Sequence, residues 1–248
     1  MTPARGLYLY AVVPHDARIG DVRGIAGEPV ELLQHAQLGL VAGEVAVERL
    51  AGLNDESAAP ELLGALARCH DDVVRTAWAA AGVVLPFRLG TVLVDRDAAR
   101  RYLDDRAEEL YPAMQQVTAC HEWGVTVHDR ATEVPAQANP SGPHDPGRPG
   151  TAYLARRRQE VARAEARRQA MSHVEGELRA RAIDVAAGRT RQPDVVLDAS
   201  YLVRCDREPA FFEAVDRCGD LLLEQGLQLQ LRGPWPPYSF ALREADRD

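Results

Sequence analysis

At 248 residues, with 46% apolar and 27% charged residues, the chain has the apolar content for a sizeable core, is too apolar for intrinsic disorder, and suits two domains. A net charge of −8 opposes nonspecific attraction to nucleic acid or anionic lipid, and no apolar stretch approaches the ~18 residues of a bilayer span. Met1 is followed by TPARG rather than by a basic and then apolar leader, so a cytoplasmic location is expected. Cys69, Cys120, Cys205 and Cys218 are widely spaced and read as reduced thiols.

Residues 7–13, LYLYAVV, are β-branched and aromatic, are closed by Pro14, and predict a buried strand that starts inside a sheet. Strands at 30–33 and 38–47 follow. In the second, Leu40, Ala42, Glu44 and Ala46 alternate with Val41, Gly43, Val45 and Val47, which predicts one wetter face. From Pro60 the period changes: Leu62, Leu66, Cys69, Val73 and Ala77 recur at three- and four-residue steps, a helix that Gly82 ends. Residues 83–94, VVLPFRLGTVLV, are extended. A second helix is expected from Asp95, with Ala99, Leu103, Leu110 and Val117 on one face and a kink at Pro112.

EWGVTVH at 122–128 returns to strand. Pro135, Pro140, Pro143, Pro146 and Pro149 then exclude regular structure and predict a flexible loop at 130–150. Residues 151–187 carry a helix period with a thin apolar line of Leu154, Val161, Ala164, Met171, Leu178 and Val185, which predicts one long, charged, partly solvated helix. Strand at 195–205, helix at 209–225 and strand at 227–231 complete a β-α-β-α-β order. That order belongs to ferredoxin-like domains, with one of the usual four strands unidentified. The fold expected is α+β with two domains, 1–120 and 121–248.

The residues that could carry chemistry favour bland roles. Cys69-His70 and Cys120-His121 suggest zinc, but adjacent side chains diverge on a helix or strand and neither pair has a further ligand at useful spacing, so no metal site is expected. No nucleophile elbow, phosphate loop, dinucleotide fingerprint or HExxH pair occurs. Residues 148–181 hold nine Arg against four Glu, including Arg156-Arg157-Arg158, yet the charges are interleaved and aromatic stacking partners are scarce. Asp104-Asp105 and Glu108-Glu109 lie within a turn of Arg100, Arg101 and Arg106 and read as intrahelical ion pairs.

Two runs resist that reading. In LPFRLGTV, at 85–92, Pro86 forces extension before it, Phe87 and Leu89 flank Arg88, and Gly90 permits a tight bend. In GPWPPYSF, at 233–240, Pro234, Pro236 and Pro237 remove three amide donors and stiffen the backbone, so Trp235, Tyr238 and Phe240 are presented from a rigid scaffold. Such a run either seals a domain edge or grips a partner.

LPFRLGTV, EWGVTVHD, GTAYLARRR and GPWPPYSF, occurring in that order, resemble the gas vesicle protein F/L family over nearly the whole chain. The resemblance implies an α+β N-terminal domain and a modified ferredoxin-like C-terminal domain. It also implies a minor component or assembly factor of gas vesicles that contacts the major shell protein and other gas vesicle assembly proteins, located at the vesicle and acting without catalysis or cofactor. Candidate contact residues are Pro86, Phe87, Arg88, Gly90, Trp123, Trp235, Pro236, Pro237, Tyr238 and Phe240. The proline-rich insert at 130–150 departs from the family pattern, as does Leu89, where an aromatic is common.

A rival from another class is an inter-domain ligand-binding protein or enzyme that uses Arg88 as an anion clamp. A weaker one is an arginine-rich nucleic-acid binder.

Overall fold

The computed structural model describes residues 4–48, 60–130, 149–188, 190 and 192–241, the side chains of 149–152 apart. The chain divides by contacts into two units. One comprises Met1–Glu122 with Pro234–Asp248, the other Trp123–Gly233. The sequence suggested a single boundary near residue 120; the chain divides at 122/123 and again at 233/234, so GPWPPYSF, from Pro234 on, groups with the N-terminal part. The loop expected at 130–150 lies almost wholly outside the described residues.

In the first unit, β1 (Arg5–Pro14) is central. It pairs with β3 (Leu38–Ala46) on one side, and β3 pairs with the edge strand β2 (Val30–His35). On its other side β1 meets two short strands, β4 (Leu85–Pro86) and β5 (Val92–Leu93). Its edges are paired on both sides and its side chains pack against Val73, Val74 and Ala77, among others, and Leu7 to Val13 are all at most 1% exposed. The wetter face expected for β3 is confined to its end: the strand is buried from Leu38 through Gly43, and then Glu44 is exposed and Ala46 half-buried around a buried Val45. The β1–β3 register slips between Leu9 and Ala11, a bulge at Tyr10.

Helix α1 (Pro60–Ala81) covers this sheet with His70, Val73, Val74 and Ala77, and Gly82 ends it at φ +72°, donating to Trp78 O at 2.8 Å. Its first two turns are more exposed than the periodicity implied: Leu62 is 51% exposed. The single kinked helix expected from Asp95 is two helices, α2 (Arg96–Asp105) and α3 (Ala107–Val117). The break falls at Arg106, whose N–H turns back to Asp104 O and Tyr102 O. Pro112 lies within α3 and forfeits only the bond to the carbonyl four residues back.

The second unit runs β6 (Cys120–Asp129, begun in the first unit), α4 (Pro149–Arg179), β7 (Asp184–Ala187), β8 (Val195–Arg204), α5 (Glu208–Glu224) and β9 (Leu227–Trp235). The sheet order β7-β8-β6-β9 is that of a ferredoxin-like βαββαβ domain. β7 is the strand the sequence left unidentified. The helix expected through Ala187 stops at Arg179, because pairing of Asp184 through Ala187 with β8 outweighs the helical preference of an alanine-rich stretch. Val125, Val127, Tyr201 and Val203 of the sheet pack against Ala170, Val174 and Leu178 of α4 and Phe211, Ala214 and Leu222 of α5. Among the described residues, no helix is long and apolar enough to cross a membrane.

Candidate functional site

LPFRLGTV is not one strand but a detour beside β1. Pro86 pairs with Ala11, and the Phe87 N–H donates to Tyr10 O at 2.9 Å, which uses the carbonyl at the bulge. The chain then swings out through Arg88 and Leu89 and turns at Gly90, whose φ of +90° suits glycine. It rejoins β1 where Leu9 N–H donates to Thr91 O at 2.9 Å. The Thr91 hydroxyl and N–H both close on Arg88 O, at 2.8 and 3.3 Å. Pro86 and Phe87 are buried, Phe87 lying 5.6 Å from the Tyr102 ring, while the Arg88 side chain and Gly90 are exposed.

The gap opened by the detour is filled by Tyr8 and His70. His70 Nε2 faces Phe87 O at 3.1 Å and Nδ1 faces Tyr8 Oη at 3.0 Å. A carbonyl can only accept, so Nε2 carries the proton, Nδ1 accepts from the Tyr8 hydroxyl, and Tyr8 Oη in turn accepts from Gly90 N–H at 3.0 Å. Burial holds the His70 imidazole below its ordinary pKa, opposed by its bond to Phe87 O and by Asp71, and burial pushes the Tyr8 phenol up to about 12. Both imidazole nitrogens are thus engaged in holding the LPFRLG turn.

Tyr10, two residues from Tyr8, lies 5.4 Å from the His70 ring and donates to Glu28 Oε1 at 2.6 Å while accepting from Ile25 N–H at 2.9 Å. Glu28 Oε2 takes the Ala26 N–H at 2.8 Å. Burial and Glu28 both raise the Tyr10 pKa. A Cβ on Gly24 would collide with Glu28 Oε1 and Tyr10 Oη, and one on Gly43 would lie 2.7 Å from Glu28 Cγ, so both positions are empty to admit the carboxylate.

The closing run reaches the residue next to His70. Pro236 and Pro237 are buried, and a tight turn forms in which Tyr238 N–H donates to Pro236 O at 2.7 Å and Ala241 N–H to Pro237 O at 2.7 Å. Tyr238 Oη donates to Asp71 Oδ1 at 2.9 Å, and Asp71 Oδ2 meets Arg75 Nε at 2.6 Å. Burial, then Asp71, raises the Tyr238 pKa. Ser239 clasps Glu122, only 3% exposed, with its N–H on Oε2 at 2.8 Å and its hydroxyl on Oε1 at 2.7 Å. Phe240 is buried and Trp235 half-buried. Two runs about 150 residues apart in sequence are therefore held by consecutive residues of α1, His70 and Asp71.

Residues 6–242, a span containing both runs, match the family of gas vesicle synthesis proteins GvpL/GvpF. The chain belongs to the GvpL/GvpF family. It is 34% identical to gas vesicle protein L of a Streptomyces species over 97% of this chain and 94% of the relative. It is 31% identical to gas vesicle protein F of the same organism over 69% and 75%. Gas vesicle protein L2 of Halobacterium salinarum is 26% identical over 97% and 96%. The fold is shared with crystal structures of GvpF from Anabaena and from Microcystis aeruginosa. The first has a TM-score of 0.68 at 19% identity and covers 96% of both chains; the second has a TM-score of 0.68 at 20% identity and covers 96% of this chain and 99% of the other. The protein has a gas-vesicle-related role.

The other candidate residue of this GvpL/GvpF protein is not among these bonded groups. Trp123 belongs to the second unit, where its Nε1–H donates to Glu208 Oε1 at 2.8 Å and its ring stands edge-on to Phe212 at 4.8 Å. Arg88, the anion clamp of the rival reading, lines neither of two grooves on the first unit. One, of about 450 Å³, is bordered by Arg5, Glu44, Val94, Arg96, Asp97 and Arg100, where Arg96 binds Glu31 and reaches Glu44 at 3.5 Å. The other lies between β2 and α2. Among the described residues, no three His, Cys, Asp or Glu side chains converge as a metal site. Cys120 instead directs its thiol to Thr118 O at 3.3 Å, and His121 stands edge-on to Trp78.

Sequence reasoning missed Glu28, Asp71 and Glu122, the carboxylates that organise the cluster. Glu122 had one visible signal: it shares the inward register of β6 with Cys120, a position where an unpaired acid is costly.

Proposed function

We propose that this protein is a minor structural or assembly component of gas vesicles that binds the major shell protein, alongside other gas vesicle assembly proteins, and supports nucleation or growth of the vesicle wall. The observation that carries this reading is that the family match runs through both units and includes the two runs that meet on α1. The polar groups of the cluster are spent inside the first unit: His70, Tyr8, Tyr238 and Glu122 hold the two runs, and Tyr10 with Glu28 holds the turn at Ile25 and Ala26. That arrangement supports a rigid presenting surface, with the Arg88 side chain and the exposed part of Trp235 as its contact groups.

The test is calorimetric titration of the folded protein with the shell subunit, repeated with Arg88→Ala, Trp235→Ala and Tyr238→Phe. Binding that weakens at least about tenfold in the first two variants, with thermal stability kept, fits the hot-spot pattern of an interface. Absence of binding by the folded wild-type protein at micromolar concentration overturns the proposal.

A further inference from the structure

Among the described residues, nothing packs against the first half of α4. Residues 153–164 are exposed on every side, whereas the second half buries Ala170, Val174 and Leu178. A mostly polar helix of this length gains little from its own hydrogen bonds and is marginal in water without a surface to pack on. Its exposed apolar groups are Tyr153, Leu154 and Val161, at 60%, 56% and 58%. At about 100° per residue, Leu154 and Val161 share one side, with Arg157 and Arg158 flanking them. The buried line of Ala170, Val174 and Leu178 is centred about 150° further round, so this apolar side does not continue the face that packs in its own unit. Arg156 and Arg157 share Glu160, at 3.7 and 3.4 Å, and the same stretch adds Arg158 and Arg163, all in a chain of net charge −8.

A complementary surface exists on α5. Its inner face is buried through Phe211, Ala214, Val215, Cys218 and Leu222. Its outer face carries exposed Glu213, Asp216, Asp220 and Glu224, at steps of three and four residues, with Leu223 53% exposed beside them and Arg217 at the border. A basic helix side with an apolar seam and an acidic helix side with an apolar neighbour meet the requirements for pairing, and both are in one chain. Among the described residues of one copy the exposed stretch stays uncovered, so pairing of the two sides requires a second copy.

We infer that the basic first half of α4 docks on the acidic outer face of α5 in a second copy of this chain, so that the protein self-associates through paired helices of opposite charge. The contact is driven by charge and seated by Leu154, Val161 and Leu223, and it is independent of binding to a shell protein.

Sedimentation of the full chain at on the order of 100 µM, in about 50 mM and about 500 mM salt, tests this directly. Association is expected at low salt and weaker at high salt. Arg157→Glu with Arg158→Glu, and separately Asp216→Arg with Asp220→Arg, each lower the association constant at least about tenfold by setting like charges together. Mixing the two reversed proteins restores association, since each then supplies the other's complement. Circular dichroism and urea unfolding verify the fold, and single variants Arg158→Glu and Asp220→Arg stand in if a double variant does not fold. A protein that stays monomeric at low salt, association indifferent to both reversals, or failure of the mixed pair to associate would each overturn the inference.

Discussion

The Tyr238 hydroxyl donates to Asp71 across 167 residues of sequence, at 2.9 Å, one residue along α1 from the imidazole that holds Phe87 O. A carboxylate that receives a phenol and also pairs with Arg75 is a stronger tether than a neutral bond. Tyr238→Phe removes only the hydroxyl. The expected loss is about 1.5–3 kcal/mol of unfolding free energy, read as a lower urea midpoint at unchanged slope.

His70 gives the first unit a pH dependence of known sign. Its folded pKa is lowered, so below the ordinary value the unfolded chain binds a proton that the folded chain refuses. Stability from this group is therefore complete above about pH 6.5 and is lost as pH falls through that value, at up to about 1.4 kcal/mol per pH unit. The neighbours that face it are Tyr8, Tyr10, Phe87 O and Asp71. Urea unfolding at pH 7.5 and 5.5 checks this: the drop in wild-type stability should shrink in His70→Gln.

Ser239→Ala strips the hydroxyl from a carboxylate that is buried and has Ser239 as partner to both oxygens. The backbone bond persists, so the expected cost is about 1–3 kcal/mol, measured by denaturant unfolding. Glu122→Gln should cost less than Glu122→Ala, because the amide oxygen can still accept from Ser239.

Gly24→Ala forces a methyl against Glu28 Oε1 and Tyr10 Oη. Relieving that clash means moving the carboxylate that orders the turn at Ile25 and Ala26. A loss of about 1–3 kcal/mol is expected. Near-ultraviolet dichroism should change with it as Tyr10 shifts.

Much of this architecture was legible beforehand. LYLYAVV announced a central strand, and the alternation of helix and strand periods after residue 150 suggested a ferredoxin-like unit. The strand that escaped notice, Asp184–Ala187, is short and follows an alanine- and arginine-rich helix without glycine or proline to mark the end, so only pairing with β8 reveals it. The cluster on α1 was hidden for a different reason. Local pattern cannot show that Asp71 meets Tyr238 or that Glu122 meets Ser239. Nor can it place a bulge at Tyr10 that frees a carbonyl for Phe87. GPWPPYSF was visibly unusual, but whether its rings faced inward depended on those distant acids. Pro236, Pro237 and Phe240 prove to be buried, which leaves Trp235 and Tyr238 as its half-exposed rings, the latter tied to Asp71 through its hydroxyl.

The second unit is a contiguous stretch, Trp123–Gly233, inserted between two parts of the first. The order of completion expected on the ribosome is therefore the reverse of the usual N-to-C one. The ferredoxin-like unit has all of its strands once β9 emerges, whereas the first unit must wait for Tyr238 and Ser239 before Asp71 and Glu122 find their partners. Until then Asp71 and Glu122 lack the bonds that Tyr238 and Ser239 supply, so an interruption of synthesis near residue 233 is expected to leave the earlier half of the protein unfinished rather than the later one.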